Sequence, residues 1–372
     1  MSTTDFTDDL AADHSATLAE LDTPALCLDL DRFERNLQTV VNLCRERGVD
    51  WRPHAKCHKS QDVGSRLVAA GALGLTCAKL GEAEVMADAG IRDLLIANMI
   101  VGPKKVARLV ELRRVADPIV CVDSLDQAGP ISAAMHAAGL RCRVIIEVDI
   151  GLHRVGVAPE KTVEFAATLS ALPCIQFAGI MGYEGHLLTI ADPDEKRAKI
   201  GEALKLLTDT ADAIRAAGLS CDIVSCGGTG SIAFCTAQPG ITEVQAGGAI
   251  FMDDFYRLTC QVDFLEQALT VHATVVSRPA PDRAVIDAGR KTINGEIRMP
   301  SVQSPAGLTV KSLSAEHGAL EVPEGMELNV GDRVVLVPGY GDLTTVLHNR
   351  FVVHRGEQIV GSWPLQARGR LH

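Results

Sequence analysis

The sequence lacks the cysteine patterns that organise zinc fingers and disulfide-rich proteins. Its eleven cysteines are an odd number, and no two of them form a C-x-x-C pair. Zinc-finger spacing and a disulfide framework are therefore excluded. Scattered thiols of this kind predict a reduced, cytoplasmic protein.

The sequence also lacks an excess of positive charge and a long apolar run. The formal net charge is −11 at pH 7, whereas nucleic acids and anionic membranes attract basic patches. No apolar run reaches the roughly 20 residues that span a bilayer. The N-terminus is polar and acidic, without the basic and apolar regions of a signal peptide. We therefore expect neither nucleic acid nor a membrane as a partner.

What the sequence does contain is a large apolar fraction in a repeating order. Hydrophobic residues make up 47% and charged residues 22% of the 372 residues, so two domain cores can be buried. Strand-like runs alternate with Ala- and Leu-rich helical stretches. The runs cover residues 50–56, 74–78, 93–98, 118–124, 143–150, 176–184, 222–226 and 243–251. Eight such runs predict an α/β fold, a (β/α)8 TIM-type barrel. A doubly wound open sheet is the alternative, but no G-x-G-x-x-G follows the first strand.

The pattern changes after Thr259, where helical periodicity fades. Short β-rich runs separated by Gly and Pro then predict a smaller antiparallel β domain. These runs cover residues 269–277, 283–287, 308–314, 333–338, 343–347 and 350–353. The predicted domains are therefore a barrel of residues 22–258 and a β domain of residues 259–372, to which residues from 1–30 can add.

Lys56 is the first candidate for chemistry, because the active site of such barrels lies at the C-terminal ends of the strands. It closes the first run, in Arg52-Pro53-His54-Ala55-Lys56. Burial and neighbouring cations can lower the pKa of such a lysine and make it a nucleophile or a Schiff-base former. An exposed lysine at a strand end is the alternative. We interpret the nearby Lys59 as an ordinary surface lysine.

Two glycine-rich turns follow the seventh and eighth runs, where phosphate sites recur in this fold. They are Ser225-Cys226-Gly227-Gly228-Thr229-Gly230-Ser231 and Gln245-Ala246-Gly247-Gly248. Glycines let the backbone approach an anion, and the hydroxyls of Thr229 and Ser231 can bind its oxygens. The alternative is that both segments are simply tight turns.

An arginine and a tyrosine are the remaining candidate functional residues at the ends of the predicted strands. Arg154, after the fifth run, can donate to an anionic oxygen, or it can form a structural ion pair with Asp149. Tyr183, at the end of the sixth run, can stack on a planar cofactor, or it can be a buried tyrosine with a satisfied hydroxyl. A Schiff-base lysine, two phosphate turns, an arginine and an aromatic ring together indicate pyridoxal phosphate.

Several ordered segments resemble one known family. They are Arg52-Pro53-His54-Ala55-Lys56, Asp149-Ile150-Gly151-Leu152-His153-Arg154-Val155-Gly156, Gly227-Gly228-Thr229-Gly230, Glu243-Val244-Gln245-Ala246-Gly247, Asp287-Ala288-Gly289-Arg290-Lys291 and Glu316-His317-Gly318. The chain resembles, from Leu21 to Trp363, the D-threonine aldolase and D-serine dehydratase family. These are alanine-racemase-like, fold-type III pyridoxal-phosphate enzymes.

The resemblance implies a pyridoxal 5'-phosphate held as a Schiff base on Lys56. It implies that Arg154 faces the phenolic oxygen of the cofactor and that Tyr183 lies beside its ring. The phosphate would be lined by Gly228, Thr229, Gly247 and Gly248. His54 and Thr76, at the ends of the first two runs, complete the predicted cofactor set. The resemblance also implies a homodimer, with the active site near the subunit interface and completed by the β domain.

The sequence departs from the family pattern at a metal site in the β domain. The family has a histidine, one residue, and then Asp or Cys as ligands. Here Asp342 is kept, but Tyr340 takes the place of the histidine. Tyrosine is a poor ligand because it must lose a proton of pKa about 10. A divalent ion such as Mn, Mg or Zn at Asp342 is therefore expected to bind weakly, unless the chain folds His348 back as a substitute.

The second departure is Glu184, which follows Tyr183 where the aldolases have a histidine. The expected reaction is retro-aldol cleavage of a D-configured β-hydroxy-α-amino acid, with Glu184, His186 or Tyr340 taking the hydroxyl proton. A solvated Glu184 is the alternative. Other candidate functions are a dehydratase of D-serine or D-hydroxyaspartate type, a racemase using Lys56 and Tyr340, and a non-catalytic carrier of pyridoxal phosphate.

Overall fold

The structure, a computed structural model, describes residues 16–372 and divides into two compact units. The barrel unit consists of Gln38–Gly248 with Ala367–His372, and the β unit of the residues up to Leu37 with Ala249–Gln366. The predicted domain bounds of 22–258 and 259–372 stay a prediction. Within the described residues, no helix has the length and hydropathy needed to cross a membrane.

The described strands and helices follow the order of the chain. The strands are β1 Ala25–Asp29, β2 Asp50–Trp51, β3 Leu75–Cys77, β4 Asp93–Ile96, β5 Asp117–Val122, β6 Cys142–Glu147, β7 Ile175–Met181, β8 Ile223–Cys226, β9 Glu243–Val244, β10 Leu269–Ala280, β11 Arg283–Ile286, β12 Ser301–Ser304, β13 Thr309–Leu313, β14 Gly318–Glu321, β15 Arg333–Val337, β16 Arg350–Arg355 and β17 Gln358–Pro364. The helices are α1 Leu30–Arg47, α2 Gln61–Ala69, α3 Leu80–Asp88, α4 Pro103–Val115, α5 Leu125–Ala137, α6 Pro159–Ser170, α7 Pro193–Ala216, α8 Ile232–Cys235 and α9 Gly341–Thr345.

The barrel unit is built on eight parallel strands in the order β2-β9-β8-β7-β6-β5-β4-β3. The two ends of this order meet through a parallel bridge between His54 and Thr76. Two backbone hydrogen bonds support the closure, from Leu73 N to Trp51 O at 2.8 Å and from Thr76 N to Pro53 O at 3.0 Å. The predicted (β/α)8 barrel is confirmed.

Helix α7 shows how the outer layer forms. The side chain of Asp192 accepts hydrogen bonds from the backbone N of Asp194 and Glu195, and Pro193 stands at the first helical position. Such a cap satisfies N–H groups that have no partner within the helix. The helix then places small and apolar residues on its buried face, namely Ile200, Ala203, Leu204, Leu207, Ala211 and Ile214. This spacing matches one face of a helix packed on a sheet.

A network of charged side chains ties four barrel strands together. Arg52, directly after β2, is only 1% exposed, and its Nε lies 3.1 Å from both carboxylate oxygens of Glu243 on β9. Its Nη1 donates to Asp93 on β4 at 2.8 Å, and Asp93 also accepts from Arg143 on β6 at 2.8 Å. Buried charges of this kind are tolerated because they are paired and hydrogen-bonded.

The β unit is mainly antiparallel, in agreement with the predicted β domain. Its strands follow the order β13-β14-β11-β10-β1-β16-β17, and β15 pairs with both β10 and β12. Strand β1, which the sequence did not reveal, pairs antiparallel with β10 and parallel with β16.

The predicted β-run at 343–347 is wrong, because residues 343–345 belong to α9 and residues 346–347 form the turn after it. The carboxylate of Asp253 accepts a hydrogen bond from Gly341 N at 2.7 Å. That bond satisfies a first-turn N–H from outside the helix, so a tertiary contact outweighs the β preference of the Thr and Val residues.

Candidate active site

Lys56 lies in a single helical turn, Ala55–Cys57, at the mouth of the barrel after β2. Its backbone N donates to Nδ1 of His54 at 3.3 Å, and the backbone N of His54 donates to Gln245 O at 3.1 Å. Burial, with Lys56 nearby, holds the pKa of His54 well below its usual range, so the ring is neutral and can accept this bond. The turn that carries the half-buried Lys56 is therefore fixed to the end of β9.

Lys59 is buried rather than on the surface, so its interpretation as an ordinary surface lysine is wrong. The residue is 6% exposed, and its Nζ forms an ion pair with the fully buried Glu82. Glu82 also accepts from the backbone N of Ala78 and Lys79, at 2.5 and 3.1 Å. The carbonyl of Lys59 accepts from Ala367 N at 2.9 Å. The pair anchors the segment that follows Lys56.

The two glycine-rich turns follow β8 and β9, which are neighbours in the sheet. Gly227 has φ of 78°, a conformation that glycine adopts without strain. The hydroxyl of Thr229 is buried and has no hydrogen-bond partner among the described residues. Gly247 lies so close to the backbone of His54 that a Cβ would clash with the His54 carbonyl oxygen. These two turns form what we call the anion cradle.

Because Gly247 lies so close to the backbone of His54, we expect Gly247→Ala to have a large effect on cofactor affinity. The added Cβ would push on the backbone of His54, which holds the Lys56 turn, and overpacking of this kind costs roughly 1–3 kcal/mol. We expect a loss of about tenfold or more in affinity for pyridoxal phosphate, measured by titration of the apoprotein. Gly201→Ala is the control, because nothing lies within 4 Å of its added Cβ. Equal affinities for the two variants would contradict this role of Gly247.

Arg154 and Tyr183 lie near each other on neighbouring strand ends. The guanidinium carbon is 5.9 Å from the centre of the tyrosine ring. Arg154 pairs with the buried Glu147 at 3.4 Å, a partner that the sequence interpretation missed. Burial raises the pKa of Glu147, and Arg154 opposes that rise. Asp149, the expected alternative partner, instead accepts from Nδ1 of His153 at 2.7 Å.

The ring of Tyr183 is placed against the first glycine turn. A Cβ on Gly228 would lie 3.2 Å from the tyrosine hydroxyl, and one on Gly185 would clash with the ring. Thr76 is fully buried, and its hydroxyl donates to the carbonyl of Arg52 at 2.9 Å. That hydroxyl proton therefore helps to join β3 to the segment after β2, where the barrel closes. A contact of Thr76 with the cofactor stays a prediction.

Glu184 and His186 lie in different surroundings. Glu184 is fully buried, and it accepts a hydrogen bond from Ser231 Oγ. His186 is exposed, and its Nε2 lies 3.0 Å from where a Cβ on Gly151 would stand. Desolvation and the nearby His153 lower the pKa of His186, so its imidazole is neutral at pH 7.

Tyr340 and Asp342 lie in the β unit at the start of α9. The tyrosine hydroxyl donates to Asp342 Oδ2 at 3.1 Å, and its ring lies 5.4 Å from that of Phe255. Nε2 of His348 lies 2.8 Å from the carbonyl of Thr292, so that nitrogen is engaged there.

Within residues 16–372, one group of three metal-binding side chains lies close together, made of Glu184, Cys226 and Cys235. Asp342 is not a member of it. A metal at Asp342 therefore stays a prediction.

The fold and the site define a class of protein. A parallel barrel with a lysine at its mouth and an anion cradle after its last two strands is typical of barrel enzymes that bind a phosphorylated cofactor. A family profile described as alanine racemase, N-terminal domain, matches residues 28–254, and one described as putative serine dehydratase domain matches residues 268–354. The chain belongs to this alanine-racemase-like family, as its motifs indicate.

Individual relatives are similar over nearly the whole chain. A D-threonine aldolase of an Arthrobacter species is 38% identical, covering 95% of this chain and 94% of its own. A 3-hydroxy-D-aspartate aldolase of Paracoccus denitrificans is 34% identical, covering 95% and 93%. The crystal structure of D-threonine aldolase from Filomicrobium marinum superposes with a TM-score of 0.93 at 38% identity, covering 96% and 98%.

Dependence on pyridoxal phosphate follows from membership in this family. The residues of the barrel unit fit that group. The buried hydroxyl of Thr229 has no partner among the described residues, and a phosphate oxygen would supply one. Gly247 lets the second glycine turn pass directly against the backbone of His54, and Lys56 lies on the turn that follows His54. The role of each site residue stays a prediction.

Proposed function

We propose that this protein is a pyridoxal-phosphate-dependent lyase of the D-threonine aldolase type. It would cleave a D-configured β-hydroxy-α-amino acid to glycine and an aldehyde. The observation that carries the proposal is the similarity to a D-threonine aldolase, 38% identical over 95% of this chain. The position of the half-buried Lys56 at the mouth of the barrel also supports the proposal.

Each barrel residue has a proposed role that its position supports. Lys56 would hold the cofactor through its amine, and Arg154 would donate to the phenolic oxygen. Tyr183 would lie beside the ring, with His54 and Thr76 lining the site near Lys56. The phosphate would be bound by Thr229 and by the glycines, namely Gly228, Gly247 and Gly248. When bound, pyridoxal phosphate supplies an electron sink for the broken Cα–Cβ bond.

The proton of the β-hydroxyl needs a base. Among the three predicted candidates, His186 is exposed and, with its lowered pKa, neutral at pH 7. Such an imidazole can accept a proton, and we propose it for this role. Tyr340 stays a candidate, with Asp342 as the acceptor that orients its hydroxyl. A weakly bound Mn, Mg or Zn ion at Asp342 is the alternative role of that carboxylate.

A homodimer and a cytoplasmic location are further proposals. All eleven cysteines are free thiols, and ten of them are buried. Free thiols persist in reducing compartments, which supports a location in the cytoplasm. The homodimer is supported by the family resemblance, and size measurement in solution would test it.

The test of the function is product analysis with D-threonine, the cofactor and either a divalent metal or a chelator. We expect glycine and acetaldehyde, and a dependence on metal would show whether an ion takes part. Formation of 2-oxobutyrate would instead indicate a dehydratase, and inversion at Cα a racemase. Unchanged D-threonine and unchanged 3-hydroxy-D-aspartate, in a protein that binds the cofactor, would contradict the proposal and favour a carrier.

A further inference from the structure

Glu184 is buried in a hydrogen-bonded cluster behind the first glycine turn. Its side chain is 0% exposed, and Oε1 accepts from Ser231 Oγ and, at 3.4 Å, from Cys235 Sγ. The backbone of Gly227 also lies beside the carboxyl and lowers its pKa. All of these partners lie in the turn after β8 or in α8. A side chain at the end of β7 therefore holds a segment that follows the next strand of the sheet.

Ser231 extends this contact to the anion cradle. Its hydroxyl oxygen accepts a hydrogen bond from the backbone N of Gly228 at 3.2 Å, while its proton goes to Glu184. From the sequence, the Ser231 hydroxyl is one group that can bind an oxygen of the phosphate. In the structure both its proton and one of its lone pairs are used within the protein. We call the series Glu184, Ser231 and Gly228 the loop brace.

A glycine-rich turn needs such a support because it has almost no side chains of its own. Glycines lose more conformational entropy on ordering than any other residue, so an unsupported turn would sample many conformations. Binding sites gain affinity when the bound conformation is formed in advance. The loop brace fixes the amide of Gly228 beside Thr229, whose buried hydroxyl lacks a partner among the described residues.

The state of the Glu184 carboxyl agrees with a supporting role. Burial raises its pKa, although the hydrogen bond from Ser231 opposes that rise. Its Oε2 is buried without a hydrogen-bond partner in the described part of the chain, which disfavours the charged form. Burial also raises the pKa of Cys226 and Cys235, so both thiols are neutral neighbours of the carboxyl.

We propose that Glu184 is a positioning residue, which through Ser231 holds the first glycine turn in the conformation that binds the phosphate of the cofactor. This inference rests on the proposed function, because it takes the cofactor to be pyridoxal phosphate. It replaces the expected role of Glu184 as a base. A base must reach the substrate, whereas this carboxyl is fully buried and directed at Ser231.

The experiment compares Glu184→Leu, Glu184→Gln and Ser231→Ala. Leu removes the acceptor, whereas the amide oxygen of Gln can still accept from Ser231. We expect Glu184→Leu and Ser231→Ala each to weaken the affinity of the apoprotein for pyridoxal phosphate roughly tenfold, the effect of losing one buried hydrogen bond. Glu184→Gln should keep the affinity and the turnover rate within about threefold. The double variant should lose no more than either single one, since both act on one link.

Ser132→Ala is the matched control. Ser132 is also a buried serine, with its hydroxyl donating to Pro173 O at 2.6 Å, but it lies on α5, away from the cradle. The Ser132→Ala variant should have a lower thermal stability and an unchanged cofactor affinity. A change in affinity equal to that of Ser231→Ala would mean that the effect is general destabilisation and would overturn the proposal.

Two further outcomes would also overturn it. Folded Glu184→Leu and Ser231→Ala proteins that bind pyridoxal phosphate like the wild type would exclude the brace. Glu184→Gln with normal cofactor affinity but a turnover rate lowered roughly 10²- to 10⁴-fold would show a base instead. Failure of the proposed function is distinguishable, because it is detected in the products that the wild type forms, whereas the loop brace is tested by the affinity of the variants for the cofactor. The same variants, titrated with inorganic phosphate, would still test the loop brace.

Discussion

Lys56→Ala should abolish turnover while the protein stays folded. The lysine is the proposed covalent holder of the cofactor, so its loss should cost more than the roughly 10²- to 10⁴-fold typical of a single acid or base. The Ala55–Cys57 turn should persist, because its bond to His54 uses the backbone N of residue 56. The measurements are the rate of glycine release and retention of the cofactor after dialysis.

Lys199→Ala is the control for this variant. Lys199 lies on α7, is half exposed, and pairs with the exposed Glu202 at 3.1 Å. It should bind cofactor and turn over like the wild type. Borohydride reduction of the loaded protein should join the cofactor to the wild type and to Lys199→Ala, but not to Lys56→Ala. Reduction onto another lysine would contradict the assignment of Lys56.

The barrel could be predicted because its strands are buried on both faces. Such strands appear in the sequence as continuous apolar runs, and all residues but one are buried in β5 and likewise in β6. Strand β1 was missed, since its partners β10 and β16 lie far along the chain. Helix α9 was missed because the bond that starts it comes from Asp253, which no local pattern reveals.

The site was predictable in its positions but not in its buried partners. Lys56, Tyr183 and the glycine turns could be identified because strand ends define the mouth of a barrel. The partners of Lys59 and Arg154 could not be identified, since Glu82 and Glu147 come from other elements. A charged residue in an apolar run is the signal that could have found them, because such residues are rarely buried without a partner.

Two buried carboxyl groups of the barrel unit hold neighbouring segments of the chain in place. Glu82 accepts from Ala78 N and Lys79 N while pairing with Lys59, and Glu184 holds Ser231. A buried carboxylate contributes through such bonds only if its partners stay in place. The same reasoning applies most strongly to Arg52, where one guanidinium has two carboxylate partners.

Arg52→Met should be strongly destabilising. The substitution fills much of the same space but leaves Glu243, which is 2% exposed, as a buried carboxylate without its ion pair. Removing one partner of a buried pair typically costs about 3–5 kcal/mol. We expect a large fall in the urea midpoint of the apoprotein, followed by circular dichroism. Because Arg52 precedes Pro53 and His54, cofactor affinity should fall as well.

Arg114→Met provides the matched control, because Arg114 pairs with Glu111 at 3.3 Å on the surface, where the two side chains are 48% and 72% exposed. Exposed pairs contribute about 0–1 kcal/mol, so its urea midpoint should hardly move. Adding Glu243→Gln to Arg52→Met removes the unpaired negative charge of Glu243 and should restore part of the lost stability. If Arg52→Met proved no more harmful than Arg114→Met, the network would not hold the barrel. A double variant less stable than Arg52→Met would show that Glu243 is stabilised by other groups.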